Sequence, residues 1–267
     1  MANSKSSLYS SAQEYIDATE GMKNEVNMWY IASALLIQEA VRKVTQHKYG
    51  ALIDKCSIDL MQSIPPFSVL DVCCGPGNLA NYLGLMHPKL DLIGIDLDEE
   101  FIKEARRKFS NTAWRFIVAN AITFRSKKKF DVVVASSAYH HIRDEEKQEF
   151  VDNLEHNLNE DGKIIVCENF LPGYDSDKDR KSAVIKYYEA LKKYYSSENS
   201  SKSTFKAIDE VRYLELANTI EHKVDFDRFK RHLRHSRLEI EVDIPVWQPK
   251  QFSKDNAGSH VLLLRRN

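Results

Sequence analysis

Residues 68–80 read SVLDVCCGPGNLA. The apolar run Val69-Leu70-Asp71-Val72 ends in the small-residue segment Cys73-Cys74-Gly75-Pro76-Gly77, and Asn78-Leu79-Ala80 then opens a helix. This is the pattern of a strand, a tight turn and a helix amino end. Glycine lets the backbone approach a ligand closely, and the first N–H groups of a helix are free to donate to it. A nucleotide-like cofactor is therefore expected over this turn. Gly75, Gly77 and Ala80 satisfy the dinucleotide pattern G-x-G-x-x-G/A. Asp71 speaks for a different ligand: a carboxylate there repels a pyrophosphate by roughly 1–4 kcal/mol at about 4 Å and attracts a cationic amino group.

Downstream, strands and helices alternate. Asn78–Met86 reads as a helix stopped by His87-Pro88, and Leu90–Asp96 as a second strand. Asp96 lies 19 residues beyond Gly77, where a carboxylate can accept both hydroxyls of a ribose. Asp98-Glu99-Glu100 suits the positive end of the next helix, Phe101–Phe109. Trp114–Ala119 forms a third strand running into Asn120-Ala121, and Phe130–Ala135 a fourth, apolar enough to be buried on both faces. Asp144–Leu158 is the next helix, Asp161-Gly162 a turn, and Lys163–Glu168 a fifth strand.

Ligands of open α/β sheets bind beyond the carboxyl ends of the strands. The segment Ser136-Ser137-Ala138-Tyr139-His140-His141-Ile142 lies there. His140 and His141 are candidate bases because imidazole titrates near neutral pH. Neighbouring residues on regular structure point apart, so one is expected to face an acceptor and the other to pack. Tyr139 and Glu168 are second choices.

The 267 residues allow one sizeable α/β domain with additions, or two small ones. With 38 basic and 39 acidic side chains the formal net charge is −1, so no global field draws the chain to nucleic acid. Cys56, Cys73, Cys74 and Cys167 show no C-x-x-C spacing, which suggests neither a zinc site nor a disulfide framework. No metal site is expected, and the cysteine usage fits a reducing cytoplasm. The start MANSKSSLYSSAQEY lacks the apolar core of a secretory signal, and no apolar run reaches the roughly 20 residues of a membrane helix.

The turn and its flanks resemble the class I S-adenosylmethionine-dependent methyltransferases, whose first motif is D/E-x-G-x-G-x-G. Asp71, Gly75 and Gly77 match it, and Cys73 stands where the first glycine usually is. The resemblance covers residues 68 to about 170. It implies a Rossmann-like α/β fold with a seven-stranded, mostly parallel sheet, a reversed last strand and a helical lid. It also implies S-adenosylmethionine as cofactor. Asp71, Cys73, Gly75 and Gly77 would lie at the methionine tail, Asp96 and Leu97 at the ribose, Asn120 and Ala121 at the adenine, and Ser136 at the mouth of the fourth strand.

Four segments follow from this reading: an amino-terminal helical cover over 1–64, a cofactor-binding core over 65–170, a helical insertion over 171–224 and a carboxy-terminal helix with two antiparallel strands over 225–267. Within the first, Asn24–Val44 has helical periodicity. In the third, Tyr187, Leu191, Tyr194 and Tyr195 share one helical face, a packing pattern that could also wall an acceptor pocket. The expected activity is methyl transfer to a small-molecule acceptor by a cytoplasmic monomer or homodimer. Two alternatives stand beside it. One is a transfer-RNA-modifying enzyme using this cofactor or a carboxylated derivative, to which Arg212 would bind. The other is a protein that binds the cofactor without turnover.

Overall fold

The computed structural model describes Ala32 and residues 67–86, 90–197, 200 and 202–267. The expected helix at Asn24–Val44, the rest of the amino-terminal cover and Cys56 lie outside the described residues, apart from Ala32, which is helical and buried. In chain order the elements are β1 (Ser68–Val72), α1 (Asn78–Met86), β2 (Asp91–Asp96), α2 (Glu99–Lys108), β3 (Arg115–Val118), β4 (Phe130–Ser136), α3 (Lys147–His156), β5 (Leu158–Phe170), α4 (Asp177–Ser197), α5 (Lys202–Ala217), α6 (Phe226–His235), β6 (Leu238–Trp247) and β7 (Gly258–Arg266).

The seven strands form one sheet in the order β3-β2-β1-β4-β5-β7-β6. β1 through β5 pair in parallel, and β7 runs antiparallel to both β5 and β6. The expected reversal of the last strand is present. Alternation along the strands divides the core. Leu70, Val72, Val133 and Ala135 face one side with Phe150 of α3 and Phe229 of α6. Val69, Val132 and Val134 face the other with Leu79, Leu83 and Ile102 of α1 and α2.

Helix ends follow the chemistry of their sequences. Asp98 caps α2 by accepting from the N–H groups of Glu100 and Phe101, with acids in the first turn and Arg106, Arg107 and Lys108 in the last. Asp225 caps α6 through the N–H of Arg228 at 2.9 Å. Three boundaries differ from the sequence reading. The helix expected from Asp144 begins as a 3₁₀ turn, Asp144–Glu146, and becomes α-helical at Lys147. The turn expected at Asp161-Gly162 is taken up inside β5, where the register jumps from Leu158 opposite Phe130 to Lys163 opposite Val132. β6 continues through Pro245 to Trp247, which a strand at the sheet edge tolerates.

In α4, Tyr187, Leu191 and Tyr195 are buried and meet Trp247 of β6 and Phe252 in a third apolar cluster. Packing accounts for that tyrosine face. Tyr187 also donates its hydroxyl to Asn169 of β5 at 2.9 Å. Among the described residues no helix is long and apolar enough to cross a membrane.

Gly258 opens β7 at φ +136°, and a Cβ there would lie 2.2 Å from the carbonyl oxygen of Trp247. Gly258→Ala should therefore destabilise the fold by about 2 kcal/mol or more, from left-side backbone strain and the clash together. Urea unfolding would register this as a lower midpoint; an unchanged midpoint would show that the β6–β7 connection shifts to accept the methyl.

Candidate functional site

The carboxyl ends of β1, β2 and β4 converge on the turn at Cys73–Gly77. Cys73, Gly75 and Gly77 all have positive φ, at 58°, 53° and 81°. Three left-handed residues within five explain the run of small side chains, and the single non-glycine among them, Cys73, carries a conformational cost of about 1 kcal/mol. The turn is closed by Gly77 N–H to the Cys74 carbonyl at 3.1 Å and tied to β2 by Cys74 N–H to the Ile95 carbonyl at 2.9 Å. A side chain at position 77 would meet Phe109 at 2.6 Å.

Asp96 holds the turn from below. Its Oδ2 accepts the Gly75 N–H and its Oδ1 the Asp98 N–H, each at 2.9 Å. Burial raises its carboxyl above the ordinary value, against the pull of these two bonds. Asp71 is in a harsher position. Its residue is 1% exposed and its Oδ2 is buried with no hydrogen-bond partner. Burial, and secondarily the neighbouring Asp96, push its pKa to about 8. The same two carboxylates, after burial, keep the thiols of Cys73 and Cys74 protonated.

On β4, Ser136 lies one residue beyond Ala135, which pairs with Val72, and its Oγ is likewise buried and unpartnered. By strand alternation Asp71 and Ser136 share the face of α1 and α2. Two orphaned buried oxygens, one of them a carboxylate, fit a cationic, hydrogen-bonding tail lying across these strand ends. Leu97, 55% exposed, and Val118, 43% exposed, follow at the ends of β2 and β3 and offer an apolar bed farther along the same edge. Asn120 is exposed, and its Oδ1 accepts the Ile122 N–H at 2.8 Å, closing its own turn. Ala121 is buried beneath it, its carbonyl accepting from Asn153 at 2.5 Å. This donor set, a buried carboxylate oxygen and a buried hydroxyl left without partners beside a second carboxylate, fits a ligand carrying both a cationic group and hydroxyls.

A second cluster of polar side chains begins where β4 ends. Ser137 has φ +55° and its N–H is bound by the Cys167 carbonyl at 2.9 Å, after which Tyr139–His141 forms a 3₁₀ turn. Lys147, fully buried, donates to the carbonyls of Tyr139 at 3.0 Å and Ile142 at 2.6 Å, fixing this turn from beneath. Burial lowers its pKa to about 8. Position 147 lies on the buried face of α3 with Phe150, Val151 and Leu154, and only the charge of a lysine hides this in the sequence.

Tyr139, a candidate from the sequence, does not face the cleft. It lies in the core against Phe150 and Phe229, and its hydroxyl meets His232 Nδ1 at 2.6 Å. The turn of the backbone aims it between α3 and α6. His140 and His141, in contrast to the divergence expected of neighbours, are brought side by side by the 3₁₀ geometry, their ring centroids 4.1 Å apart. His140 is 5% exposed; its Nδ1 lies 2.6 Å from Glu168 Oε1 and its N–H donates to Glu168 Oε2 at 3.1 Å. Burial, then the neighbouring His141 and Lys223, hold His140 neutral, well below the usual imidazole range. Glu168 is raised by burial. His141 stays 41% exposed in its side chain.

Both rings face a carboxylate that the sequence reading missed. Glu221 lies 3.8 Å from His140 Nε2 and 3.7 Å from His141 Nδ1. Burial opposes its ionisation, but the ammonium of Lys223, bonded to it, outweighs that and brings its pKa to about 2. Lys223 bridges Glu221 to Glu215, which also pairs with Arg180 of α4. A charged segment after an amphipathic helix carries no signal that it is buried. Arg212, considered for a carboxylated cofactor, pairs instead with Asp209 at 3.0 Å one turn away on α5.

Residues 69–162 match the family model described as a methyltransferase domain. An uncharacterised methyltransferase of Staphylococcus carnosus is 30% identical over 83 residues, covering 31% of this chain and 38% of that protein. PKMT2 from Rickettsia typhi, solved in complex with AdoHcy, superposes with a TM-score of 0.52 at 20% identity over 76% of this chain and 49% of its own. An S-adenosylmethionine-dependent methyltransferase from Clostridium acetobutylicum superposes with a TM-score of 0.51 at 15% identity, covering 85% and 99%. The chain thus spans well under half the length of the first of these relatives, and the two structures establish the shared fold.

Because the folded Asp71 pKa of about 8 stands above its ordinary value of 3.8, the folded state alone retains the proton between those values, and stability falls progressively as pH rises through them. Asp71→Asn should therefore stabilise the ligand-free protein, by at least about 2 kcal/mol at pH 8 and by little near pH 4. Thermal or urea unfolding of both proteins across this range checks the sign; a difference independent of pH would show that Asp71 is already compensated.

Proposed function

We propose that this chain, whose residues 69–162 match the family model of a methyltransferase domain, is a class I S-adenosylmethionine-dependent methyltransferase that transfers a methyl group to a small-molecule acceptor. The cofactor assignment is carried by the buried, unpartnered oxygen of Asp71 above a left-handed glycine turn. When bound, the cofactor supplies an electrophilic methyl on a positively charged sulfur. Asp71 would take its ammonium group, Asp96 its ribose hydroxyls, and Leu97, Asn120 and Ala121 would flank its adenine.

What remains for the protein is to align an acceptor, exclude water and receive a proton. The mouth of β4 is suited to this. His141 is the imidazole that solvent and an acceptor can reach, while His140 is packed beside it and oriented by Glu168. Lys147 holds the turn that presents both. A small acceptor is favoured by the chain's balanced charge, which supplies no long-range attraction for a polyanion. The pairing of Arg212 with Asp209 removes the specific support for a carboxylated cofactor.

Incubation with methyl-labelled S-adenosylmethionine and a metabolite extract should place label in a small-molecule fraction, with transfer RNA in a parallel tube remaining unlabelled. His141→Ala should lower kcat by about 10²–10³-fold while cofactor affinity holds within about twofold. Cofactor binding with no transfer to either fraction would favour the binding protein, and label in transfer RNA the modification enzyme.

A further inference from the structure

We propose that His140, His141 and Glu221 form a binding site for one divalent transition-metal ion, with zinc the best match to the donors. The ligating atoms of these three residues all lie within 4.8 Å of one another. His140 Nε2 is 3.8 Å from Glu221 Oε2, and His141 Nδ1 is 3.7 Å from Glu221 Oε1. These separations are too long for hydrogen bonds. They run to different oxygens of the one carboxylate, each within a few tenths of an ångström of the roughly 3.4 Å that separates two ligand atoms around a tetrahedral zinc with bonds of about 2.1 Å. An ion therefore needs a small rotation of the His141 ring, whose Nδ1 also faces the Ile220 carbonyl at 3.5 Å. Two imidazole nitrogens and one carboxylate oxygen are a zinc donor set that leaves the fourth position open.

The surroundings support the same reading. A metal-bound imidazole is characteristically steadied by a carboxylate on its other nitrogen. Glu168 does this for His140, lying 2.6 Å from Nδ1 and leaving Nε2 turned into the cluster. Lys223 bonds Glu221 Oε2, so it anchors the carboxylate while Oε1 stays turned toward His141. His141, the most exposed of the three, opens the cluster to solvent and gives an ion its way in. The short turn between β4 and α3 supplies both histidines, and the segment between α5 and α6 supplies the glutamate, so the ion would clasp the helical insertion to the sheet.

The site coincides with the acceptor mouth assigned above. With an ion bound, His141 would serve as a ligand instead of as the proton acceptor assigned above; the open fourth position would take an oxygen of the acceptor, and the ion would favour the deprotonated form of that oxygen. This consequence rests on the methyltransferase reading. Ion binding itself does not.

The test uses the full chain, stripped with a chelator and dialysed, then titrated with Co²⁺ and, by calorimetry, with Zn²⁺. The expected result is one ion per chain with a Kd of about 10 μM or tighter, and visible bands of tetrahedral cobalt without thiolate charge transfer. His141→Gln and Glu221→Gln should each weaken binding at least about tenfold, in protein whose circular dichroism and S-adenosylmethionine binding match the wild type. His141 is half exposed, so its variant should fold even if the buried Glu221 variant does not. Absence of binding at about 100 μM Zn²⁺, a thiolate signature, or equal affinity in wild type and His141→Gln would each overturn the proposal. A wild-type protein that binds zinc and fails to bind S-adenosylmethionine would contradict the methyltransferase reading and leave the metal site standing.

Discussion

Two carboxylates share one buried corner, Asp71 at the end of β1 and Asp96 at the end of the neighbouring β2. Asp96 is reconciled to the interior by two backbone N–H groups, one of them from the turn it stabilises. Asp71 has no such compensation for its Oδ2. A protein holding an uncompensated buried acid beside a second acid is under electrostatic tension that a cation relieves. The left-handed turn at Cys73, Gly75 and Gly77 brings the backbone close enough for a ligand to supply that cation. The parallel core exists, in this sense, to hold β1 and β2 side by side with their carboxyl ends level.

A second ionic system lies across the sheet, and it joins elements distant in sequence. Arg180 of α4, Glu215 of α5, Lys223 and Glu221 form a buried chain of opposite charges that ends at the two histidines after β4. Buried ion pairs add little net stability, yet removing one member strands the next without a partner. The network therefore makes the placement of the helical insertion and the shape of the turn after β4 one cooperative matter. Lys147 adds to it from the core side, its ammonium donating to the Ile142 carbonyl and to the Tyr139 carbonyl, which also closes the turn by accepting the Ile142 N–H.

Much of this was legible in the sequence because backbone constraints act locally. Continuous apolar runs at Val69–Val72 and Phe130–Ala135 identify strands covered on both faces, and the small residues at 73–77 mark a turn that only small residues can make. The parallel order and the reversed β7 came through the family resemblance rather than from periodicity. What escaped was tertiary. Glu221, Lys223, Glu215 and Arg180 read as surface charge because nothing in an amphipathic pattern distinguishes a solvated ion from a buried, paired one. Tyr139 turns into the core and the two histidines lie side by side because a 3₁₀ turn redirects side chains in ways that helix and strand periodicities do not describe. The extent of β5 was hidden by Asp161-Gly162, residues that ordinarily mark a turn and here sit in a strand irregularity.

The central claim is that Asp71 waits protonated for a cationic ligand. Calorimetric titration of S-adenosylmethionine at pH 7, repeated in buffers of different ionisation enthalpy, counts the protons exchanged on binding. With a free-state pKa of about 8, the account predicts release of nearly one proton, roughly 0.9, per cofactor bound. Binding with no proton release would mean that Asp71 is already ionised or takes no part, and would contradict it.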